Sequence, residues 1–269
     1  MSSTHFLFRA PDSREELRQL LQLRYAIYRE SSLRNVTSKN DSEIDVDQYD
    51  LRSSHFGLYQ LDDFGSKPVG YIRIVQDADD MVQNTADVLA IANDCPETLE
   101  RVFAPRREPF PLMTYFPDAG MVKVFYAVRH ARGERYIEPG RLSLDPSVRS
   151  IGIVTFMTMC TFALGVVQGV DGAILSCDSK HVPFYRRFGF ERLDNTGDVF
   201  AAKIGFTISV LIGSPKHLTD RFHDAVLKKA ESLKRKSAIW CEQGDRDWSP
   251  VSQTFALRNS CSGNTHDSR

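Results

Sequence analysis

The first thirty residues carry a hydrophobic pattern that predicts a short strand followed by an amphipathic helix. The apolar run at residues 6–8 is typical of a strand. Ser13, followed three residues later by Glu16, is a capping-box pattern that marks the start of a helix. The apolar residues after it recur at helical spacing: Leu17, Leu20, Leu21, Tyr25 and Ile27. We therefore predict a helix that runs to about Glu30.

Two polar residues near the end of this helix share a face. Arg24 and Tyr28 are four positions apart, so their side chains project together. The next segment, residues 31–50, is polar and is predicted to be a long loop. Long loops within compact domains are usually functional or disordered, which draws attention to the acidic residues Asp47 and Asp50 at its end.

A hairpin is the clearest prediction for the middle of the chain. Residues 55–61 and 68–75 read as strands, and the polar, glycine-containing residues between them read as a turn. In residues 78–117, one helix is predicted at 96–103, and four prolines break the pattern after it. We expect an irregular excursion that covers a pocket.

The second half of the chain alternates between strand and helix. We predict a strand at 136–144, a long apolar helix at 148–168, a strand at 172–177 and a short helix at 181–188. A strand, helix, strand order implies that the two strands pair in parallel.

Further strands are predicted at 190–193 and 199–212, the second with a bend at Gly205, and a last helix at 216–236. The fold class is therefore α/β (α+β), with a mixed central sheet flanked by helices. We divide the chain into a main domain (1–213), a C-terminal helical extension (214–242) and a polar tail (243–269) that is predicted to be disordered.

Composition narrows the functional classes. The chain has 269 residues and a formal net charge of −1, with 34 basic and 35 acidic residues, so it has no global field that attracts nucleic acid. Its five cysteines are scattered and form no C-x-x-C pair, which argues against a disulfide framework and against a zinc site. Residues 1–10 do not resemble a secretory signal. We expect a cytoplasmic protein without a metal.

One apolar segment, residues 151–167, invites a membrane interpretation. At 17 residues it is at the lower limit for a span, and it contains three threonines. A buried core helix is the favoured interpretation.

The order of these elements resembles the fold of the Gcn5-related N-acetyltransferase (GNAT) superfamily over residues 6–195. Residues 184–190, which read FYRRFGF, look like the closing motif of that fold, where a tyrosine lies beside the thioester sulfur. A narrower set of residues resembles the signature of acyl-homoserine lactone synthases and N-acyl amino acid synthases, which are bacterial enzymes. This set is Arg24 with Tyr28, Asp47 to Asp50, Gly70 with Arg73, and Glu138 with Arg141. His55 adds to the match with the N-acyl amino acid synthases.

Two departures turn the resemblance away from the lactone synthases. Those enzymes usually have phenylalanine at the position of Tyr28 and an aromatic residue soon afterwards, whereas residues 33–39 contain none. The acyltransferase phosphate loop survives only in part, as Arg149 to Ile153 with Gly152 in place. Arg149 and Gly152 are thus candidates to bind the phosphate of a pantetheine, and an acyl carrier protein is favoured over coenzyme A as the donor.

The chemistry of acyl transfer assigns roles to three residues. An amino acid's ammonium group must lose a proton before it attacks a thioester, and a carboxyl group on a half-buried strand can act as the base. Glu138 is the candidate base, and Arg141 can anchor a carboxylate or a phosphate. Tyr185 could donate a proton to the departing thiolate. An exposed ion pair between Glu138 and Arg141, and a packing role for Tyr185, remain open alternatives.

The remaining signature residues are predicted to organise the pocket. Arg24, Asp47, Asp50 and Arg73 alternate in sign, so they could form a charge network at its rim, although solvated surface charges would have the same pattern. We expect alanine at Arg24 or Asp47 to abolish acyl transfer and leave the fold intact.

Two further groups of residues could serve the acyl donor. An acyl chain needs an apolar tunnel, for which there are candidates on or near the long helix: Phe125, Phe156, Met157, Met159, Phe162 and Leu164. An acidic carrier protein needs a basic patch, for which the candidates are Arg129, Arg132, Arg135 and Arg149. Plain core packing and a solvated loop are the respective alternatives.

The sequence thus predicts an N-acyltransferase that moves a medium- or long-chain fatty acyl group from acyl carrier protein to the amine of an amino acid. No tightly bound cofactor is expected, and acyl-coenzyme A is the alternative cosubstrate. A lactone synthase, a conventional acetyltransferase and an inactive ligand-binding module are the alternative functions. The basic last helix could also rest on anionic lipid, but packing on the domain is favoured.

Overall fold

Nine β-strands form one sheet in the computed structural model, which describes residues 5–63, 65–77, 84–105, 108–116, 119–202 and 204–246. The strands are β1 (His5–Arg9), β2 (Ser53–Asp62), β3 (Gly65–Gln76), β4 (Tyr136–Leu144), β5 (Gly172–Asp178), β6 (Glu191–Arg192), β7 (Asp198–Ala201), β8 (Phe206–Gly213) and β9 (Ala238–Cys241). Their spatial order is β6-β8-β5-β4-β3-β2-β1-β9, and β7 pairs with β8 beside this path. The fold is therefore mixed α/β, as predicted.

Helices cover both faces of the sheet. They are α1 (Arg14–Arg29), α2 (Thr85–Asn93), α3 (Leu99–Val102), α4 (Pro111–Tyr115), α5 (Gly120–His130), α6 (Ile151–Gln168), α7 (Val182–Arg186), α8 (Asp220–Lys236) and α9 (Gln243–Arg246). The first helix begins where its capping residue predicts, because the Ser13 hydroxyl accepts a hydrogen bond from the Glu16 N–H at 3.2 Å.

The alternation of side chains along β3 shows which face of the sheet each helix covers. In β3, Ile72 and Ile74 pack in the core cluster that contains α6 and α8. Tyr71 packs instead with α1 and α2, and Val75 packs with α4 and α5. Successive side chains of a strand point to opposite faces, so α6 and α8 cover one face, and α1, α2, α4 and α5 cover the other.

The apolar helix α6 lies inside the fold. It is the one helix of the described segments that is long and apolar enough to cross a membrane, but 72% of it is buried. An apolar surface on all sides is what a buried helix requires. We therefore assign α6 to the core, where α8 packs against it.

The predicted strand pairings are confirmed. The strands β2 and β3 form an antiparallel hairpin, and β4 and β5 pair in parallel. The parallel pairing is short, because it joins only Tyr136 to Gly172 and Ile137 to Ala173. Beyond these two pairs β4 and β5 diverge, and their divergence opens the centre of the sheet.

Several predicted boundaries are wrong. The strand predicted at 199–212 is two strands, β7 and β8, because the chain turns at Gly205 with a φ of +75°. The last helix begins at Asp220 rather than at 216, since Pro215–His217 form a separate 3-10 turn.

Helices α2 and α5 and strand β9 were not predicted. The strand β9 pairs with β1, and α8 packs on α6, so the predicted C-terminal extension is an integral part of the domain. Residues 243–246 of the predicted disordered tail form the short helix α9, and residues 247–269 lie outside the described residues.

Candidate active site

A cavity of about 680 Å³ occupies the gap between β4 and β5. It passes through the sheet, because Phe162 and Gly165 of α6 line it from one face and Leu112 and Phe116 of α4 from the other. Strands β3 and β4 and helix α3 contribute charged residues to its wall, whereas α6 and β8 contribute phenylalanine and isoleucine side chains beside two threonines. One end could therefore hold a charged acceptor and the other an acyl chain.

A β-bulge turns two key side chains of β4 into this cavity. Residues three apart on a regular strand point to opposite faces, yet Glu138 and Arg141 both line the cavity. The register against β3 shifts so that Arg141 and Leu142 lie opposite Ile72 alone. Arg141 adopts a left-handed φ of +57° at this point, which is a strained conformation for a residue with a side chain.

Arg24 is the buried centre of an ionic network beside the cavity. Its guanidinium makes a two-point contact with the Asp50 carboxylate, 2.9 Å at each nitrogen, and its Nε lies 2.8 Å from Asp45 Oδ2. All three side chains have no exposed surface. The guanidiniums nearby hold the pKa values of Asp45 and Asp50 well below their usual range, so both carboxylates are ionised.

Arg73 and Arg141 join this network through Asp47. Arg73 Nη1 donates to Asp47 Oδ1 at 2.7 Å, and Arg141 Nη2 donates to Asp47 Oδ2 at 3.1 Å. The Asp47 carboxylate also accepts the N–H of Tyr49 at 2.9 Å, which fixes its orientation. Arg24, Asp47, Asp50 and Arg73 thus come together as predicted, but they are buried rather than at a solvated rim.

Asp45 and Arg101 also belong to this network, and sequence reasoning missed both. Asp45 accepts from Arg101 Nη1 at 3.0 Å and lies 3.6 Å from Arg141 Nη1. Arg101, on α3, lines the cavity. Asp45 lies in the same acidic loop as Asp47, and only tertiary contacts distinguish the two.

Tyr71 and His55 extend the ionic network through hydrogen bonds. The Tyr71 hydroxyl accepts from Arg24 Nη1 at 2.9 Å and lies 2.8 Å from His55 Nδ1. Burial lowers the pKa of His55 to about 4, so this imidazole is neutral at physiological pH. His55 therefore adds hydrogen bonds to the site without adding charge.

Glu138 has the properties expected of a general base. Its side chain is buried, and Oε2 accepts a hydrogen bond from the Leu112 N–H at 2.9 Å. Burial raises the pKa of Glu138 to about 8, although the Leu112 N–H and Arg73 oppose that rise. A carboxyl group that titrates near neutral pH can both accept and return a proton.

Tyr28, Tyr185 and Cys177 contribute two phenols and a thiol to the cavity wall. All three line the cavity, and the Arg141 guanidinium lies 5.2 Å from the centroid of the Tyr28 ring. Burial raises the pKa of the Tyr185 phenol, so it would donate a hydrogen bond more readily than a proton. Burial also raises the pKa of Cys177 to about 12, so its thiol is not a ready nucleophile.

Comparison with known proteins shows what the central segment and the fold are similar to. The family model described as "N-acyl amino acid synthase FeeM" matches residues 98–199, which include Glu138, Arg141 and Tyr185. The solved structure of FeeM, an N-acyl amino acid synthase from uncultured soil microbes, shares the fold with a TM-score of 0.52 at 13% identity. That alignment covers 80% of this chain and 92% of FeeM. The chain is therefore an acyltransferase with the fold of FeeM, and its central segment is similar to the N-acyl amino acid synthases.

Two more solved structures show weaker similarity to this acyltransferase. BjaI, a coenzyme A-dependent acyl-homoserine lactone synthase solved with MTA, aligns at 14% identity and a TM-score of 0.49, over 84% of this chain and 90% of its own. The lactone synthase LasI aligns at 15% identity and a TM-score of 0.42, over 79% and 88%. No curated protein matches the chain.

At the predicted phosphate loop of this acyltransferase, the C-terminal segment of the protein fills the space beside Gly152. Arg149 donates from Nη2 to the Leu144 carbonyl at 2.9 Å. A methyl group on Gly152, at the start of α6, would overlap the carbonyl of Arg246. The close approach that this glycine permits is therefore made by the C-terminal segment, which a buried ion pair between Lys229 and Asp245 holds on α8 at 3.2 Å.

The predicted tunnel residues are mostly core residues of the acyltransferase. Phe162 lines the cavity, whereas Phe156, Met157, Met159 and Leu164 pack inside the cluster between α6 and the sheet. Phe125, on α5, packs against Tyr136 instead. The prediction of a tunnel along α6 is thus wrong in most of its residues, because an apolar helix alone does not reveal which face borders a gap.

The arginines of the predicted basic patch lie near opposite ends of β4. Arg129 lies in the last turn of α5 and Arg132 lies between α5 and β4, whereas Arg149 follows the end of that strand. Nine residues of extended chain separate the two ends by roughly 30 Å. These arginines therefore do not form one surface.

Within the described residues, no group of three or more His, Cys, Asp or Glu side chains is arranged to hold a metal ion.

Proposed function

We propose that this acyltransferase joins a medium- or long-chain fatty acyl group, carried as a thioester on acyl carrier protein, to the amine of an amino acid in the cytoplasm. The observation that carries the proposal is the cavity through the sheet. It combines a buried carboxyl group whose pKa is about 8 with an arginine-rich wall at one end and an apolar wall at the other.

The acceptor amine would react at the polar end. An ammonium group must give up one proton before it attacks and a second as the amide forms, and Glu138 is placed to accept them. The new bond joins the amine nitrogen to the acyl carbon, and the bond between that carbon and the thioester sulfur breaks. One proton ends on the departing sulfur and the other in solvent.

Two groups would stabilise the charges that develop during this exchange. A β-bulge leaves a peptide group outside the strand ladder, so the backbone at Arg141 and Leu142 is a candidate hydrogen-bond donor to the oxyanion. The Tyr185 phenol lines the same cavity. It would donate a hydrogen bond to the thiolate, and its raised pKa keeps it protonated for that purpose.

The apolar end supports a fatty acyl donor rather than an acetyl donor. Leu175, Ile208 and Phe206 border this end with Phe116 and Phe162. A cavity of about 680 Å³ has the size of a site for a large organic ligand. A two-carbon acyl group would leave most of this apolar wall unused.

The C-terminal segment supports a carrier protein over coenzyme A. In a helix N-terminus that binds a pyrophosphate, the glycine allows the phosphate to come close to the backbone. Here the Arg246 carbonyl makes that approach at Gly152. A donor recognised through protein contacts depends less on this loop than a nucleotide does.

A direct assay tests the proposal. The purified full-length protein is incubated with acyl carrier protein charged with acyl groups of 2 to about 16 carbons, or with the same acyl groups on coenzyme A, and with the twenty amino acids. Products are identified by mass spectrometry, and Glu138→Gln serves as the inactive control. We expect N-acyl amino acids from the longer acyl carrier protein thioesters. Faster transfer from coenzyme A would refute the donor assignment, and products with S-adenosylmethionine alone would refute the acceptor assignment.

A further inference from the structure

The arginines of the ionic network outnumber its carboxylates. The described residues of the network include four guanidiniums, Arg24, Arg73, Arg101 and Arg141, and three aspartates, Asp45, Asp47 and Asp50. Glu138 adds little negative charge at pH 7, because its pKa is about 8, and His55 adds no positive charge, because its pKa is about 4. One positive charge is left without a carboxylate.

This excess charge lies at the surface of the cavity. The Arg24 side chain has no exposed surface, and that of Arg73 is 3% exposed. The Arg141 side chain is 9% exposed and that of Arg101 is 23% exposed, and both line the cavity. An unneutralised charge is least costly where a ligand or water can reach it.

Arg101 and Arg141 form a pair that faces the same space. Both approach the Asp45 carboxylate, at 3.0 Å from Arg101 Nη1 and 3.6 Å from Arg141 Nη1. Within the described residues Arg101 makes its contact with Asp45 through Nη1, which leaves the N–H groups at Nε and Nη2 for a ligand. Two neighbouring guanidiniums with N–H groups to spare are suited to a carboxylate.

We propose that Arg101, together with Arg141, binds the α-carboxylate of the acceptor, so that this enzyme selects free amino acids over amines, amino amides and amino esters. The inference rests on the proposed function and specifies its acceptor. Arg101 acts here as a specificity residue that contacts the substrate, and Asp45 positions it.

The arrangement also places the acceptor's amine. In an amino acid, the amine and the carboxylate are attached to the same carbon. When the carboxylate is bound, the amine must therefore lie close to it. Glu138 lies on the same bulged strand as Arg141 and in the same cavity. A carboxylate held by the arginine pair would therefore present the amine to the Glu138 carboxyl group.

The test compares each acid with its uncharged amide. Steady-state rates are measured for L-tyrosine against L-tyrosinamide and for glycine against glycinamide, in the wild type and in Arg101→Gln and Arg101→Lys. Arg14→Gln on α1, an exposed arginine outside this cavity, is the matched control. Folding of each variant is checked by its thermal midpoint.

We expect the wild type to prefer the acid. In Arg101→Gln, kcat/KM for the acid should fall about 10- to 100-fold, mainly through KM, which is the range of one charge-assisted hydrogen bond. The amide should change little, Arg101→Lys should recover part of the loss, and Arg14→Gln should behave as the wild type. A structural defect would instead lower acid and amide alike, and that result overturns the inference.

Calorimetric binding separates this inference from the proposed function. The twenty amino acids and their available amides are titrated into the wild type and into Arg101→Gln, without an acyl donor. Binding of acids that Arg101→Gln weakens supports the carboxylate site even if no acyl transfer is found. Equal affinity for acid and amide, or no binding of any acid, overturns the carboxylate site even if acyl transfer to other amines is observed.

Discussion

Glu138→Gln should remove the base. It should also stabilise the folded protein relative to the wild type, by an amount that grows as the pH rises. The pKa of this buried carboxyl group is about 8 in the folded protein, against 4.5 for an unperturbed glutamate. Below pH 4.5 the group is protonated in both states, so its ionisation does not affect stability. Between these two pKa values the unfolded chain ionises and the folded protein does not, so the free energy of unfolding decreases as the pH rises.

The size of the effect follows from the two pKa values. At about 1.4 kcal/mol per pKa unit, the rise from 4.5 to about 8 corresponds to a loss of roughly 5 kcal/mol above pH 8. Between pH 5.5 and pH 8 the loss is about 3 kcal/mol on the same scale. Glutamine has nearly the same shape and can keep the hydrogen bond from the Leu112 N–H, but it does not ionise.

Urea unfolding of both proteins from pH 5.5 to pH 9 measures this difference. The difference in free energy of unfolding, variant minus wild type, should grow by about 3 kcal/mol up to pH 8 and then level off. Glu191→Gln, at an exposed position on β6, should give a difference that does not depend on pH. A constant difference for Glu138→Gln would refute the raised pKa, and undiminished turnover would refute the role as base.

Three further substitutions probe other parts of the site. Gly152→Ala should release the C-terminal segment, because its methyl group would overlap the Arg246 carbonyl, whereas Gly244→Ala has open space; hydrogen exchange of residues 238–246 compares them. Arg24→Ala should lower the free energy of unfolding by about 3–5 kcal/mol, since it removes the buried guanidinium that two buried carboxylates share, and urea unfolding would detect that loss. Cys177→Ala should retain turnover, because the pKa of its thiol is about 12; inactivity would indicate a covalent acyl-cysteine.

The prediction for Arg24→Ala failed to anticipate the burial of this residue, which the sequence does not reveal. The signature places Arg24 among functional residues, and we expected its loss to spare the fold. Its guanidinium is instead wholly buried between Asp45 and Asp50, so it carries stability as well as pocket shape. Burial depends on which segments pack over a side chain, and residue spacing does not report that.

Elements with strong local patterns were predictable, and elements defined by distant contacts were not. The hairpin of β2 and β3 and the β4, α6, β5 unit follow from alternation and from one long apolar run. In α5, by contrast, Val124 and Val128 are exposed, so its apolar residues do not mark a buried face. The strand β9 has four residues and pairs with β1 at the opposite end of the chain.

The same division applies to the site. Glu138 and Arg141 could be identified by residue type, because their chemistry resides in their side chains. The donor to Glu138 is the backbone N–H of Leu112, which has no signature in the sequence. Arg101 lies on a four-residue helix after a poorly patterned segment, and only its contact with Asp45 reveals its place.

The bulge in β4 has a consequence for how this site can change during evolution. Its effect depends on the extra residue that β4 carries opposite Ile72 and on the left-handed backbone at Arg141, rather than on the types of residue between Glu138 and Arg141. Substitutions at Pro139 or Gly140 can leave both side chains in the cavity. Deletion of Leu142 would instead remove the extra residue and restore a regular pleat, in which Glu138 and Arg141, three residues apart, point to opposite sides of the sheet. Relatives of this enzyme should therefore vary freely in the sequence of this segment but not in its length.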